Sequence, residues 1–307
     1  MLSVHQLSVR FTSYETGLKK KETLVTSDLE LAVEKGQVVA VAGSSGSGKS
    51  LLAHAILGIL PGNARVSGEI MFKGTPVTPK RQIKIRGKEM ALIPQSIGCL
   101  DPLMRIGKQI TRAGILSGIE KNKVRVTNIL RRYGLPDHTA NMFPFQLSGG
   151  MARRVLLATA TVGKADLIIA DEPIHGLHEE VASDILSHLR ELADQGKAIL
   201  LITHDLSRSL LIADKVVVFY AGTTVEEASA TAFSGEGKNL HHPYSRALWQ
   251  ALPQNGFFPV SGTQPVLDHL PEGCVFAPRC DKTKFICKIK RPPVMPTDGG
   301  FVRCFHA

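Results

Sequence analysis

Gly43-Ser44-Ser45-Gly46-Ser47-Gly48-Lys49-Ser50 follows the apolar, β-branched run Val38–Ala42 and leads into Ser50–Leu60. In that second stretch apolar residues recur at helical spacing until Pro61-Gly62 stops the pattern. Strand, glycine-rich turn and helix in this order are the setting in which G-x-x-x-x-G-K-[ST] becomes a phosphate-cradling loop. Each residue type answers a physical need. Glycines let backbone N–H groups converge on phosphate oxygens with no Cβ in the way. The helix N-terminus adds partial positive charge. Lys49 brings a point charge to the β- and γ-phosphates, and the Ser50 hydroxyl is a ligand for Mg²⁺. The stretch therefore predicts a site for ATP and Mg²⁺ on an α/β fold.

Working outward, the first ninety residues read as strands broken by turns, with the helix after the loop. From about residue 100 to 150 the pattern is helical and polar, and includes the basic stretch Lys121–Arg132. Alternation then resumes: Leu167–Ala170 reads as a buried strand, Glu179–Gln195 as an amphipathic helix, and Ala198–Thr203 and Val216–Tyr220 as further strands. Strands alternating with helices predict a largely parallel sheet covered on both faces, with the helical middle as an insertion. After about Ala232 the composition shifts. Ser234–Pro271 is rich in Gly, Pro, His and Ser, with one helical stretch at Tyr244–Leu252. It reads as a linker to a small cysteine-containing tail.

A second set of chemistry-bearing residues lies further along. Leu167-Ile-Ile-Ala-Asp171-Glu172-Pro173 is an apolar strand ending in two acids. A carboxylate at a strand's C-terminal end suits the Mg²⁺ beside a triphosphate, which fits Asp171. One residue on, Glu172 can polarise the attacking water as general base. On its own the pair reads equally well as a helix cap or an ion pair; with the phosphate loop it reads as catalytic. His204, in Thr203-His204-Asp205, follows another apolar strand and would point at the same crevice.

Leu147-Ser148-Gly149-Gly150 lies between the loop and the acids. With it, these elements resemble the nucleotide-binding subunits of ABC transporters over most of residues 1–225. The resemblance implies a P-loop NTPase sheet, a RecA-like core plus an antiparallel β part, with a helical subdomain at about 96–155. It also implies that two such domains pair head to tail around two ATP molecules. Ser148, Gly149 and Gly150 would then meet the partner's γ-phosphate. Gln95, in Ile93-Pro94-Gln95, matches the glutamine that touches Mg²⁺ and the attacking water, and His204 the histidine that contacts the γ-phosphate. Phe11 is the candidate for stacking on adenine, with Tyr14 second. Two positions depart from the family pattern. Met151 replaces the glutamine that follows LSGG, as in the peptide and nickel importer branch. His178, in Ile174-His-Gly-Leu-His178, stands where most members carry an aspartate that couples the two sites. Coupling would be altered there, and a low-activity regulatory half of an asymmetric pair is the alternative reading.

Cys274, Cys280, Cys287 and Cys304 leave gaps of five, six and sixteen residues. Four thiolates can hold a [4Fe–4S] cluster or a Zn²⁺ ion, or simply pack a tail as reduced thiols, and spacing alone does not choose. Gly273–Cys280, Val302–Ala307 and His242-Pro243-Tyr244 resemble the C-terminal extension of oligopeptide, dipeptide and nickel importer ATPases. That branch implies a [4Fe–4S] cluster before Zn²⁺, and domains at 1–232 and 233–307. It further implies two permease subunits, a second, homologous ATPase subunit in a heterodimer, and an extracytoplasmic substrate-binding protein acting indirectly. The cargo would be peptides, nickel or metal–chelator complexes. Cys99, just after Gln95, reads as an ordinary buried thiol.

Bulk properties are consistent with this. No apolar run approaches the ~20 residues that span a bilayer, and MLSVHQLSVRF lacks the pattern of a signal peptide. The expected location is therefore the cytoplasmic face of the plasma membrane, held there by partners. The net charge of +10 is spread along the chain, with no basic block beyond Lys19–Lys21, so no nucleic-acid partner is expected. A soluble ATPase of this family acting on DNA or ribosomes would show a long coiled-coil insertion or tandem nucleotide domains, and neither is present.

Overall fold

The computed structural model describes residues 1–14, 19–120, 123–266 and 269–307, so Lys121, which opens the basic stretch, lies outside the described residues. In chain order the elements begin β1 (Leu2–Tyr14), β2 (Lys20–Val33), β3 (Val38–Gly43), α1 (Lys49–Leu57), β4 (Ala64–Phe72), β5 (Thr75–Pro76) and α2 (Pro79–Ile85). The middle holds β6 (Met90–Ile93), α3 (Ile106–Leu116), α4 (Lys123–Arg132), α5 (Gly149–Thr161), β7 (Leu167–Asp171), α6 (Glu179–Asp194) and β8 (Ala198–Ile202). The chain ends with α7 (Leu206–Ser209), β9 (Lys215–Tyr220), β10 (Thr223–Ser229), α8 (Pro243–Gln250), α9 (Phe285–Ile289), β11 (Met295–Thr297) and β12 (Gly300–Val302). Two compact units result: Met1–Val33, Val39–Val77 and Thr203–Ala307 form the first, Glu34–Val38 and Thr78–Ile202 the second.

In the first unit an antiparallel sheet runs in the order β2-β1-β4-β5. β1 buries Leu2 and Val4, then Leu7 and Val9, so its inward phase slips by one residue between the pairs. Gln6, at φ 48°, absorbs the slip as a bulge, and the register against both β2 and β4 shifts there. A second sheet runs β11-β12-β10-β9-β3. β3 and β9 are parallel, pairing Val39 with Lys215 through Gly43 with Phe219. β9 and β10 form a hairpin whose two turn residues, Ala221 and Gly222, both have positive φ (45° and 78°), the twist that two-residue hairpins favour.

The segment expected as linker and tail folds onto that sheet. β12 pairs with β10, and β11 with β12, so the last strands of the chain extend the sheet beyond β10. Leu240, Tyr244, Trp249 and Phe276 share one core with Ala40, Ala42, Val216, Val218 and Tyr220. The rings of Tyr220 and Tyr244 lie 4.4 Å apart, and Phe276 sits 5.2 Å from Tyr220 and 5.4 Å from Tyr244. Each such pair contributes about 0.5–1.5 kcal/mol beyond area burial. The Glu226 carboxylate of β10 accepts from the backbone N–H groups of His241 (2.7 Å) and His242 (3.0 Å), which fixes the entry to α8.

In the second unit β8, β7 and β6 are all parallel, and every residue of β7 and β8 is buried, as expected of a sheet covered on both faces. α6 buries Ala182, Ile185, Leu186, Leu189 and Ala193 at helical spacing. The helical section is α3, α4 and α5, with short 3₁₀ turns at Asp137–Asn141 and Pro144–Gln146 between α4 and α5. One boundary differs from expectation. α1 ends at Leu57, because Gly58 turns left-handed (φ 64°) and sends its N–H to Ala55, three residues before the proline expected to stop it.

Candidate functional site

The phosphate loop is in the first unit, between β3 and α1. Two of its glycines are required by close approach. A Cβ on Gly43 would sit 2.2 Å from the carbonyl oxygen of Phe219 on β9. Gly48 has φ 94°, and its Cβ would meet the Thr26 methyl at 2.4 Å. The loop is thus wedged between β9 and β2. Lys49 is buried and donates to the carbonyls of Gly43 (2.8 Å) and Ser44 (2.9 Å), which holds its ammonium over the loop. The N-cap of α1 is Gly48, which makes no side-chain capping hydrogen bond, and no acid lies in the helix's first turn to offset its positive end. Ser47 is fully buried, and its Oγ has no hydrogen-bond partner among the described residues. These features fit a nucleotide's phosphates with Mg²⁺ at Ser50.

Other expected residues join the loop in this unit. Thr203 N–H donates to the Val41 carbonyl of β3 (3.2 Å), so exposed His204 leaves the chain beside the strand that feeds the loop. Phe11 is half-buried on β1, two residues beyond Val9, which pairs with the same Thr26 that abuts Gly48. Tyr14 is exposed, with the Lys20 ammonium 5.9 Å over its ring.

The second unit gathers the rest. Asp171 is buried at the last position of β7. β6 pairs with β7 so that Ile93 faces Ala170, and exposed Gln95 leaves β6 at the same end as Asp171 and Glu172. Glu172 is buried and has φ 50°, a left-handed conformation that glutamate rarely adopts. Its backbone is pinned: its N–H donates to Ile202 (2.9 Å), and its carbonyl accepts from His175 N–H (3.3 Å) and an Arg153 guanidinium nitrogen (3.0 Å). Burial lowers the pKa of Arg153 from its ordinary value, and the charge of Glu172 opposes that shift.

Ser148 caps α5, its Oγ accepting from Met151 N–H at 3.2 Å, and Gly150 faces the Leu177 side chain. Ser148–Gly150, Arg153 and the Glu172–Leu177 segment therefore cluster within this unit. His178 is the N-cap of α6, and its side chain makes no capping hydrogen bond. Neither the Arg153 contact nor the conformation of Glu172 had a sequence signal beyond an arginine four residues after Gly149. Cys99 corrects an expectation. It is exposed, because Ser96 caps a short turn (Ile97–Cys99) that buries none of its three residues.

The four tail cysteines come together in the first unit. Cys287 and Cys304 are buried, Cys274 and Cys280 half-buried, and all four line one cavity with His242, Phe276 and His306. Cys274 N–H donates to the Cys287 carbonyl (2.8 Å). His306 reaches Cys287 Sγ with Nε2 (3.4 Å) and Cys304 Sγ with its backbone N–H (3.4 Å). Burial pushes the Cys274 thiol up to about 11 and raises Cys280 and Cys304 as well, and the neighbouring cysteines add to the rise. Thiols so placed fit a group whose positive charge would offset their ionisation.

Comparison with known proteins bears on both regions. Residues 26–175 match the family described as "ABC transporter", and residues 225–287 match "Oligopeptide/dipeptide transporter, C-terminal region". The chain is 32% identical to the oligopeptide transport ATP-binding protein OppD of Escherichia coli (strain K12), over 99% of its own length and 93% of that protein. It is 33% identical to the oligopeptide transport ATP-binding protein AppD of Bacillus subtilis (strain 168), over 99% and 96% of the two chains. Its identity to the dipeptide transport ATP-binding protein DppD of Escherichia coli (strain K12) is also 33%, over 100% and 96%. Among solved structures it is similar to a dimeric ATP-binding cassette in a post-hydrolysis state with ADP and Pi, with a TM-score of 0.66 and 24% identity over 75% of this chain and 99% of that one. A second likeness, to the ATP-binding subunit of an ABC transporter, has a TM-score of 0.63 and 25% identity over 76% and 91%. These likenesses bear out the expected fold class.

Proposed function

The chain belongs to the ATP-binding proteins of ABC transporters, with the C-terminal region of the oligopeptide/dipeptide branch, and from that premise we propose that it powers peptide import. It is an ATPase of this family. The loop Gly43–Ser50 with His204, and the acids Asp171 and Glu172 with Gln95, serve one nucleotide and its Mg²⁺. Phe11 stacks on adenine, and Ser148–Gly150 completes a twin subunit's pocket. The observation that carries this is the phosphate loop, wedged by two strands around a lysine and an uncapped helix end. Residues 1–232 act as the nucleotide-binding domain and 233–307 as its extension.

ATP holds the paired domains closed and hydrolysis releases them, and that swing drives the membrane partners. Those partners are two permease subunits and a second ATPase subunit, with a substrate-binding protein outside the cell. No helix among the described residues is long and apolar enough to cross a membrane, which supports attachment to the cytoplasmic face through the permeases.

The four tail cysteines hold a [4Fe–4S] cluster, which adds a rigid, multiply anchored core to the extension. Their donor set and shared cavity support it.

Glu172→Gln in the assembled transporter tests the nucleotide reading, since it should trap ATP in a closed dimer while Lys49→Ala retains none. Wild-type turnover in Glu172→Gln would remove Glu172 from catalysis, and failure of the wild-type complex to retain ATP would overturn the reading. His178 in place of the coupling aspartate supports a second reading, a slow half in an asymmetric pair. Unchanged turnover in His178→Asp would refute that one.

A further inference from the structure

Ser44, the second residue of the phosphate loop, is held from outside the loop. Its hydroxyl donates to Gln264 Oε1, 220 positions away in sequence. Burial raises the pKa of the Tyr244 phenol, and hydrogen bonding to the Ser44 side chain and backbone opposes that rise. The Ser44 carbonyl, in turn, accepts from Lys49 Nζ at 2.9 Å. One residue of the loop thus joins the lysine on one side to two residues of the C-terminal extension on the other.

Both outside residues are themselves anchored. The segment before Gln264 is gripped by Arg279, whose guanidinium donates to the carbonyls of Ser261 and Val260, each at 2.9 Å. Arg279 also donates to the Tyr220 hydroxyl (3.3 Å) and sits 5.9 Å over its ring. Tyr244 is clamped between Tyr220 and Phe276 at the ring distances given above. Residues 260–264 therefore form a strap across the first unit, fastened at Arg279 and touching the phosphate loop at Gln264.

We propose that Gln264 and Tyr244 are positioning residues of the nucleotide site, through which the C-terminal extension fixes the phosphate loop in the shape that receives phosphate. The proposal rests on the loop being the nucleotide site. Its physical basis is preorganisation. Backbone N–H groups bind phosphate well only when they already converge, so contacts that hold the loop lower the ordering cost of binding. The alternative is an extension that merely packs beside the loop. It predicts no effect on nucleotide affinity from removing a single polar atom.

The test uses the full chain, titrated with a fluorescent ATP analogue, and steady-state ATPase of the assembled transporter. Gln264→Met keeps the volume and removes the acceptor; Tyr244→Phe keeps the ring packing and removes the hydroxyl. Each should raise Kd and KM by about three- to tenfold, the worth of one neutral hydrogen bond, with kcat within about twofold. Ser44→Ala should weaken binding at least as much alone, and should add less in the Gln264→Met background than it does alone, because the Gln264 contact is already gone. Wild-type affinity in both Gln264→Met and Tyr244→Phe overturns the proposal, as does full multiplication of the Ser44→Ala and Gln264→Met effects. Lys49→Ala separates the two failures: if it binds the analogue as well as wild type does, the loop is not the nucleotide site.

Discussion

Replacing Glu172 with alanine and with glycine removes the same carboxylate and leaves two different backbones. The residue sits at φ 50°, where a Cβ crowds its own chain at a cost of about 1–2 kcal/mol. Three hydrogen bonds hold it there, from its N–H to Ile202 and from His175 and Arg153 to its carbonyl, so the conformation cannot relax cheaply. Glycine escapes the crowding but loses about 0.5–1 kcal/mol more chain entropy than alanine on folding. At an ordinary position alanine is the more stable by that amount. Here the difference reverses, and Glu172→Gly should exceed Glu172→Ala by about 0.5–1 kcal/mol. Urea denaturation of both chains without nucleotide reads the difference directly, provided the slopes agree. Both variants should be inactive, so stability is compared free of turnover. Alanine more stable than glycine by the ordinary margin would show that the backbone at this acid is unstrained, and that the pinning contacts do not hold it.

His178→Asp should stabilise the chain by about 0.5–1 kcal/mol, because the N-cap of α6 has extended backbone and no side-chain cap; an unchanged or lower denaturation midpoint would refute that. His188 has its pKa lowered by burial and then by the Arg132 charge, against the pull of Glu191. Its contribution to stability is therefore complete above the unfolded value of about 6.5 and is lost as the pH falls below it toward the lower folded value. Denaturation midpoints from pH 7.5 to 5 should decline less steeply in His188→Gln than in wild type; parallel declines would exclude the effect. Anaerobically purified chain should show the broad visible absorbance of an iron–sulfur cluster, abolished by Cys287→Ser. Protein that carries neither iron nor visible absorbance would rule the cluster out.

Local patterns were the legible part of this chain. The run Val38–Ala42, the glycines and Lys49 announced strand, loop and helix, because each residue's role is decided by its immediate neighbours. Leu167–Asp171 was equally plain, being buried on both faces. α2 had its signals in view, Thr78 as cap and Pro79 in the first turn, yet went unread among strands. What sequence could not show was set by distant partners. Gln264 carries no motif, and its meaning comes from Ser44. β11 and β12 are three residues each, too short for a period to register, and exist because β10 offers an edge. Cys99 looked apolar by type and is exposed because its turn faces outward.

The order of strands in the first unit runs against the order of synthesis. β3 emerges from the ribosome early, yet its parallel neighbour there is β9, and the hairpin of β11 and β12 that closes the sheet's far side lies at residues 295–302. At ~5–20 residues per second the nascent β3 waits on the order of ten seconds or more for β9, and longer for the closing hairpin. Until then β3 lacks its β9 neighbour, and the far edge of β10 stays unpaired until β12 is made. The sheet is complete only once its last residues are made, so a chain truncated before Gly300 lacks β12 and leaves the outer edge of β10 unpaired.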